Sequence, residues 1–256
     1  VYLNGHELSF DVSVRLDIAD VPYRVSFVNG KIRSSNEELT FGFMTMDKSW
    51  LYMEDIEYSS STYYGIVMRN STVEVVGSNI LSQGSFGIAT FSNGDYADIF
   101  VADSTVSTEG GRSGDNTAIL FEAQSGHVEV YDSTIIGDRQ AVVIKCGENH
   151  EIQNSILKAT GAIDKDLFSW GSGNSVPFAA LVVGNGYTYI PYKLKTSVLL
   201  HNATLDAPDD DRYYAMYVYQ LDSEYNVFVG GTLDYVGKNT KVNFKELNGA
   251  TLSLDK

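Results

Sequence analysis

One short pattern recurs along this chain and limits what it can fold into. A β-branched or apolar stretch leads to Asn, Asp or Gly, then a small residue, then an apolar one. The clearest copies are Val73-Glu-Val-Val-Gly-Ser-Asn-Ile80, Ile99-Phe-Val-Ala-Asp-Ser-Thr-Val106, Val128-Glu-Val-Tyr-Asp-Ser-Thr-Ile135 and Val198-Leu-Leu-His-Asn-Ala-Thr-Leu205. The step residues are Asn4, Asn29, Asp55, Gly77, Asp103, Asp132, Asn154, Asn202 and Gly231, separated by 25, 26, 22, 26, 29, 22, 48 and 29 residues. A period of this size belongs to a solenoid, whose repeats bury their apolar faces only against one another. The interval of 48 reads as one long coil with an insertion rather than two coils with a lost step.

A second element lies between the steps: Gly or Ala followed by apolar residues. It appears as Gly42-Phe-Met, Gly65-Ile-Val-Met, Gly87-Ile-Ala-Thr, Ala118-Ile-Leu-Phe, Ala141-Val-Val-Ile, Ala180-Leu-Val-Val and Ala215-Met-Tyr-Val. Its residues Phe43, Ile66, Ile88, Ile119, Val142, Leu181 and Met216 form an apolar column, as an interior stack requires. In the first element Val73 and Val75 flank Glu74, and Val128 and Val130 flank Glu129. Period-2 alternation puts the valines inside and the glutamates outside. No segment holds a helical apolar stripe over three turns. Asn, Asp and Gly tolerate the left-handed backbone that a corner needs, and polar side chains stacked there can bond coil to coil. The expected fold is all-β: a right-handed parallel β-helix of about 8–10 coils of roughly 22–29 residues. We expect one domain over 1–256 with a loop insertion around 158–197. An array of immunoglobulin-like sandwiches would also give closely spaced strands, but not the same two-strand signature in every repeat.

The net charge of −15 argues against a nucleic-acid partner and against docking on an anionic membrane. Cys146 is the single cysteine, so no internal disulfide or cysteine-based zinc site can form. No apolar run approaches the ~20 residues that span a bilayer, so direct membrane insertion of this segment is not expected. Strand-like patterns at both ends, Val1–Gly5 and Ala250–Leu254, suggest a segment of a longer secreted protein.

Function in a solenoid sits in the variable loops or on one strand face. Two interruptions carry candidate residues: Lys158–Phe178, the longest, with Asp164, Asp166 and Trp170, and Asp206–Tyr214, with Asp209, Asp210, Asp211, Tyr213 and Tyr214. If the chain is an enzyme, Asp164, Asp166, Asp209 and Asp211 are its candidate acid–base carboxylates. Asp209, Asp210 and Asp211 are also the one candidate for Ca²⁺, with no other cofactor expected. Phe41, Tyr64 and Phe86 precede the Gly/Ala of successive coils. They form either a stacking platform for sugar rings, together with Trp170, Tyr213 and Tyr214, or a cap on the interior at a corner. The four histidines, His6, His127, His150 and His201, show no metal-ligand spacing, and no nucleophile elbow or phosphate loop is present.

Units such as Val128–Ile135, a polar turn and Ala141-Val-Val-Ile resemble passenger domains of bacterial autotransporter adhesins of the pertactin type, over roughly Val25–Leu233. That resemblance implies a right-handed three-sided β-helix at a bacterial surface or secreted, non-enzymatic, binding a host surface protein or glycan. The pattern is also similar to pectate lyases, polygalacturonases and phage tailspikes, which implies a polysaccharide lyase or glycoside hydrolase as the alternative, and a tailspike segment as a second. The polygalacturonase blocks are not present in order: Asp209-Asp-Asp211 matches one trivially, and Val143-Ile-Lys145 lacks the arginine.

Overall fold

The step fixes the shape of each coil. In the computed structural model all nine step residues have positive φ, from 48° at Asp132 and Asn154 to 67° at Gly231. One left-handed residue turns the strand through a corner without breaking its pairing. Asn and Asp accept this conformation because their short polar side chains bond locally, and Gly because it has no Cβ. The structure describes residues 1–17, 22–91, 94–110, 116–162, 178–184, 196–218, 225–236, 242–244 and 251–254.

Among these residues every named strand pairing is parallel. The described residues form two sheets, one of fourteen strands and one of nine, and contain no α-helix. The longer sheet is folded along the line of steps into two strips. Before the step lie strands such as Ser71–Val76, Tyr96–Ala102, Ser125–Tyr131 and Gly147–Gln153. After it lie Asn79–Ser82, Thr105–Thr108, Thr134–Gly137 and Ile156–Ala159. In four coils one strand runs through the corner: Tyr23–Ser34, Ser49–Ser60, Thr196–Asp206 and Tyr225–Val236. The shorter sheet takes one strand from each coil, from Val14–Leu16 through Thr117–Phe121 to Val242–Phe244. The molecule is thus a three-sided, right-handed parallel β-helix, the hand that parallel crossovers adopt.

The expected interior column is present in register. Phe43 pairs with Ile66, then Ile88, Ile119, Val142, Leu181 and Met216, one per coil. All seven are fully buried in the main core. Val73, Val75, Ile99, Val101, Val128 and Val130 point into the same core from the long sheet. The ladder at the corner runs mainly through the serine after the step. Ile56 N–H donates to Ser78 Oγ, Ser78 N–H to Ser104 Oγ, Ser104 N–H to Ser133 Oγ and Ser133 N–H to Ser155 Oγ, at 2.9–3.1 Å. Each hydroxyl donates in turn to the carbonyl two residues back, so donor and acceptor capacity are both used. Asn202 Nδ2 donates to Asn154 Oδ1 at 3.1 Å, and Ile156 pairs with Thr204. Those two steps are neighbours in the stack, and the 48-residue interval is a single coil. Most of the interruption around 158–197 lies outside the described residues, but Phe178–Val183 within it takes its place in the shorter sheet.

Candidate functional site

The outward side chains of the first strip are set by alternation, and their columns by the step. Five residues before successive steps stand Arg24, Trp50, Thr72, Asp98 and His127, paired coil to coil. Three residues before stand Tyr52, Glu74, Phe100, Glu129 and Glu151. One residue before stand Tyr131 and Gln153. The sequence therefore brings widely separated polar and aromatic residues onto one face.

His127 is the centre of the densest group there. Its Nδ1 lies 3.1 Å from Asp98 Oδ1 on one neighbouring coil, and its Nε2 lies 2.8 Å from Glu129 Oε1 two positions along its own strand. The side chain is 37% exposed. Each ring nitrogen thus stands at hydrogen-bond distance from a carboxylate, the geometry that proton transfer between ring and carboxylate requires. The backbone N–H of His127 donates to Asp98 Oδ1 at 3.2 Å, fixing that carboxylate beside the ring. Gly126 makes this approach feasible: its φ is +91°, and a Cβ there would stand 1.9 Å from the Ala97 carbonyl oxygen.

Tyrosines tie the carboxylates together. Tyr96 donates to Asp98 Oδ2. Tyr131 Oη lies 2.8 Å from Glu151 Oε2 and 3.2 Å from Glu129 Oε2, and Gln153 donates to Glu151 Oε1. Glu129 and Glu151 are register partners on adjacent strands, ~4.8 Å apart, where two like charges repel. The Tyr131 proton offsets that repulsion. Burial, then the bond to Asp98, pushes the Tyr96 hydroxyl up to about 12. Burial, then the bond to Glu151, raises Tyr131 as well. Both phenols stay protonated donors at neutral pH. Phe100 packs against Tyr131 with centroids 5.7 Å apart. Further along, the Arg24 guanidinium lies 4.5 Å over Trp50 and 3.9 Å over Tyr52, and 3.6 Å from Glu74.

The described residues among those singled out from sequence lie away from this group. Phe41, Tyr64 and Phe86 do pair coil to coil along the shorter sheet. Tyr64 stacks on Phe86 with centroids 5.0 Å apart and planes at 14°. Phe86 is fully buried and belongs with Ala89, Leu120, Val143, Ala179, Val182 and Tyr217 to a second apolar cluster, separate from the interior. Phe41 and Tyr64 are half-buried, so the column is covered fully only at Phe86. Tyr213 is fully buried and donates to the Asp138 carbonyl at 3.1 Å, while Tyr214 is half-buried beside Tyr217. Asp210 holds Arg212 by two side-chain bonds of 3.0 and 2.7 Å. Asp164, Asp166 and Trp170 lie outside the described residues. Among the described residues no group of three or more His, Cys, Asp or Glu is arranged to hold a metal ion, Asp209–Asp211 included. The His127 group is absent from the sequence-based candidates. It becomes visible when the coils are aligned on their steps and the outward positions are read as columns.

No family model and no curated protein sequence matches this chain. Among solved structures it is similar to the pectate lyase Pel9A, at 10% identity and a TM-score of 0.57, over 95% of this chain and 69% of that one. The A-module of the mannuronan C-5 epimerase AlgE6 from Azotobacter vinelandii aligns at 10% identity with a TM-score of 0.33, over 100% of this chain and 91% of that module. The first likeness places the chain among parallel β-helix proteins, by fold alone.

Proposed function

We propose that this protein is a carbohydrate-active β-helix. It binds a polysaccharide on the outer face of the strip before the step, and Asp98, His127 and Glu129 form its acid–base set. The carrying observation is the His127 imidazole held between Asp98 and Glu129 on an accessible face beside Tyr96, Phe100 and Tyr131. Glycoside hydrolysis needs one carboxyl to protonate the leaving oxygen and another to activate water. Asp98 and Glu129 are diagonal neighbours on adjacent parallel strands, with the His127 ring held between their two carboxylates. His127 between them supplies and removes protons. The shared fold with a pectate lyase is compatible with this reading but does not carry it.

The test is release of reducing ends from a panel of soluble polysaccharides, with binding measured in parallel. The wild type is expected to bind and cleave at least one. His127→Ala and Glu129→Gln are expected to lose at least ~100-fold in turnover with an unchanged far-UV spectrum. A second reading is favoured by the position of this group on the outward side of a parallel sheet: a glycan-binding segment of a secreted or surface adhesin. Binding without turnover selects it. If no polysaccharide is bound or cleaved, both readings fail.

A further inference from the structure

We infer that the polysaccharide taken by the His127 face is neutral and rich in hydroxyls, and that polyuronates are excluded from it. This rests on the proposed function above and names its substrate class. Five successive coils each present one outward, half-buried carboxylate there: Glu54, Glu74, Asp98, Glu129 and Glu151. Coils in a parallel stack are ~4.8 Å apart, so a polymer lying across them meets several carboxylates within one Debye length of ~8 Å.

The basic side chains of the Arg24 and His127 positions already have partners on this face. The Arg24 guanidinium is stacked on Trp50 and Tyr52 and faces Glu74, and both nitrogens of His127 face carboxylates. No described metal-binding group stands by to bridge a sugar carboxylate to this surface. The overall charge of −15 adds repulsion at longer range. Neutral sugar hydroxyls meet the opposite situation. An ionised carboxylate is an acceptor with about four lone-pair sites, and the tyrosine, glutamine and histidine contacts use only part of that capacity. Trp50 at 37% exposure and Tyr96 at 40% add apolar ring surface with a polar edge.

The experiment is affinity electrophoresis of the full chain in gels carrying neutral glucans, mannans or galactans, or polygalacturonate or alginate. Each gel is run at low and high salt, with and without Ca²⁺. At least one neutral polymer is expected to bind ten-fold or more tightly than either polyuronate at low salt. Glu54→Gln combined with Glu74→Gln is expected to raise polyuronate retardation several-fold. Retardation by a polyuronate that equals or exceeds every neutral polymer, with or without Ca²⁺, overturns this inference while the functional reading stands. An unchanged polyuronate response in the double variant overturns it as well. If no polymer retards the chain, the functional reading itself is refuted.

Discussion

Asp132 shows how a single residue decides a corner. Its φ of 48° costs an ordinary L-residue roughly 1–2 kcal/mol, which Asn or Gly largely avoids. Asp132→Ala is expected to lower the urea midpoint by about that free energy at constant slope, with Asp132→Asn close to neutral; equal effects of the two would remove the conformational argument. His150 is a second case. It is buried in the interior, where Nδ1 accepts from the Val128 N–H at 2.9 Å and Nε2 lies 2.9 Å from the Cys146 carbonyl oxygen. Burial, the largest cause, lowers its pKa to about 4. The folded value lies below the unfolded ~6.5, so the neutral ring's contribution is complete above ~6.5 and is lost as pH falls toward 4. The full loss is on the order of 3 kcal/mol. Denaturation midpoints measured from pH 7 to pH 4 should fall less in His150→Gln than in the wild type, though the variant starts lower. Parallel slopes would assign the acid sensitivity to other groups.

At the scale of elements, the shorter sheet departs from simple alternation. Thr117–Phe121 and Gln140–Ile144 are buried on both faces. Phe121 and Ile144 belong to the interior core, and the next residues, Glu122 and Lys145, form a buried ion pair of 2.9 Å. Breaking such a pair from one side leaves a buried charge and costs about 3–5 kcal/mol, whereas replacing both partners together costs far less. Glu122→Gln and Lys145→Met are each expected to be strongly destabilising, and the double variant less so than their sum. Additive losses in a double-mutant cycle would show that the two charges do not interact. A run such as Ala141-Val-Val-Ile is continuous because both faces need apolar residues, so its sequence names a strand without naming its inside. That is why the Phe41–Tyr64–Phe86 column was legible as a column, while its side of the sheet and its burial were not.

Across the whole molecule, stability is passed from coil to coil. Each repeat packs only on its neighbours, so a cavity in the middle interrupts the stack and one at an end only shortens it. Ile119 lies between Ile88 and Val142 in the core. Ile119→Ala is expected to cost about 2–5 kcal/mol. Leu8, on the outermost strand Glu7–Phe10 and 37% exposed, should tolerate alanine with a much smaller loss in the same urea titration. Comparable losses would mean that stability is not transmitted through the stack in this way.

The sequence by itself determined the coil. Nine steps need left-handed backbone that few residue types accept, and the residue after each Gly or Ala must be apolar because it stacks in a closed interior. Both constraints are local and periodic, so they can be read along the chain. The tertiary structure decided the rest. It showed that the serine after the step, more than the step residue, carries the ladder, because ladder bonds depend on where side chains land between coils. It also brought Asp98, His127, Glu129, Tyr131 and Glu151 onto one face from three different coils. Register between coils sets those distances, and no single stretch of sequence contains them.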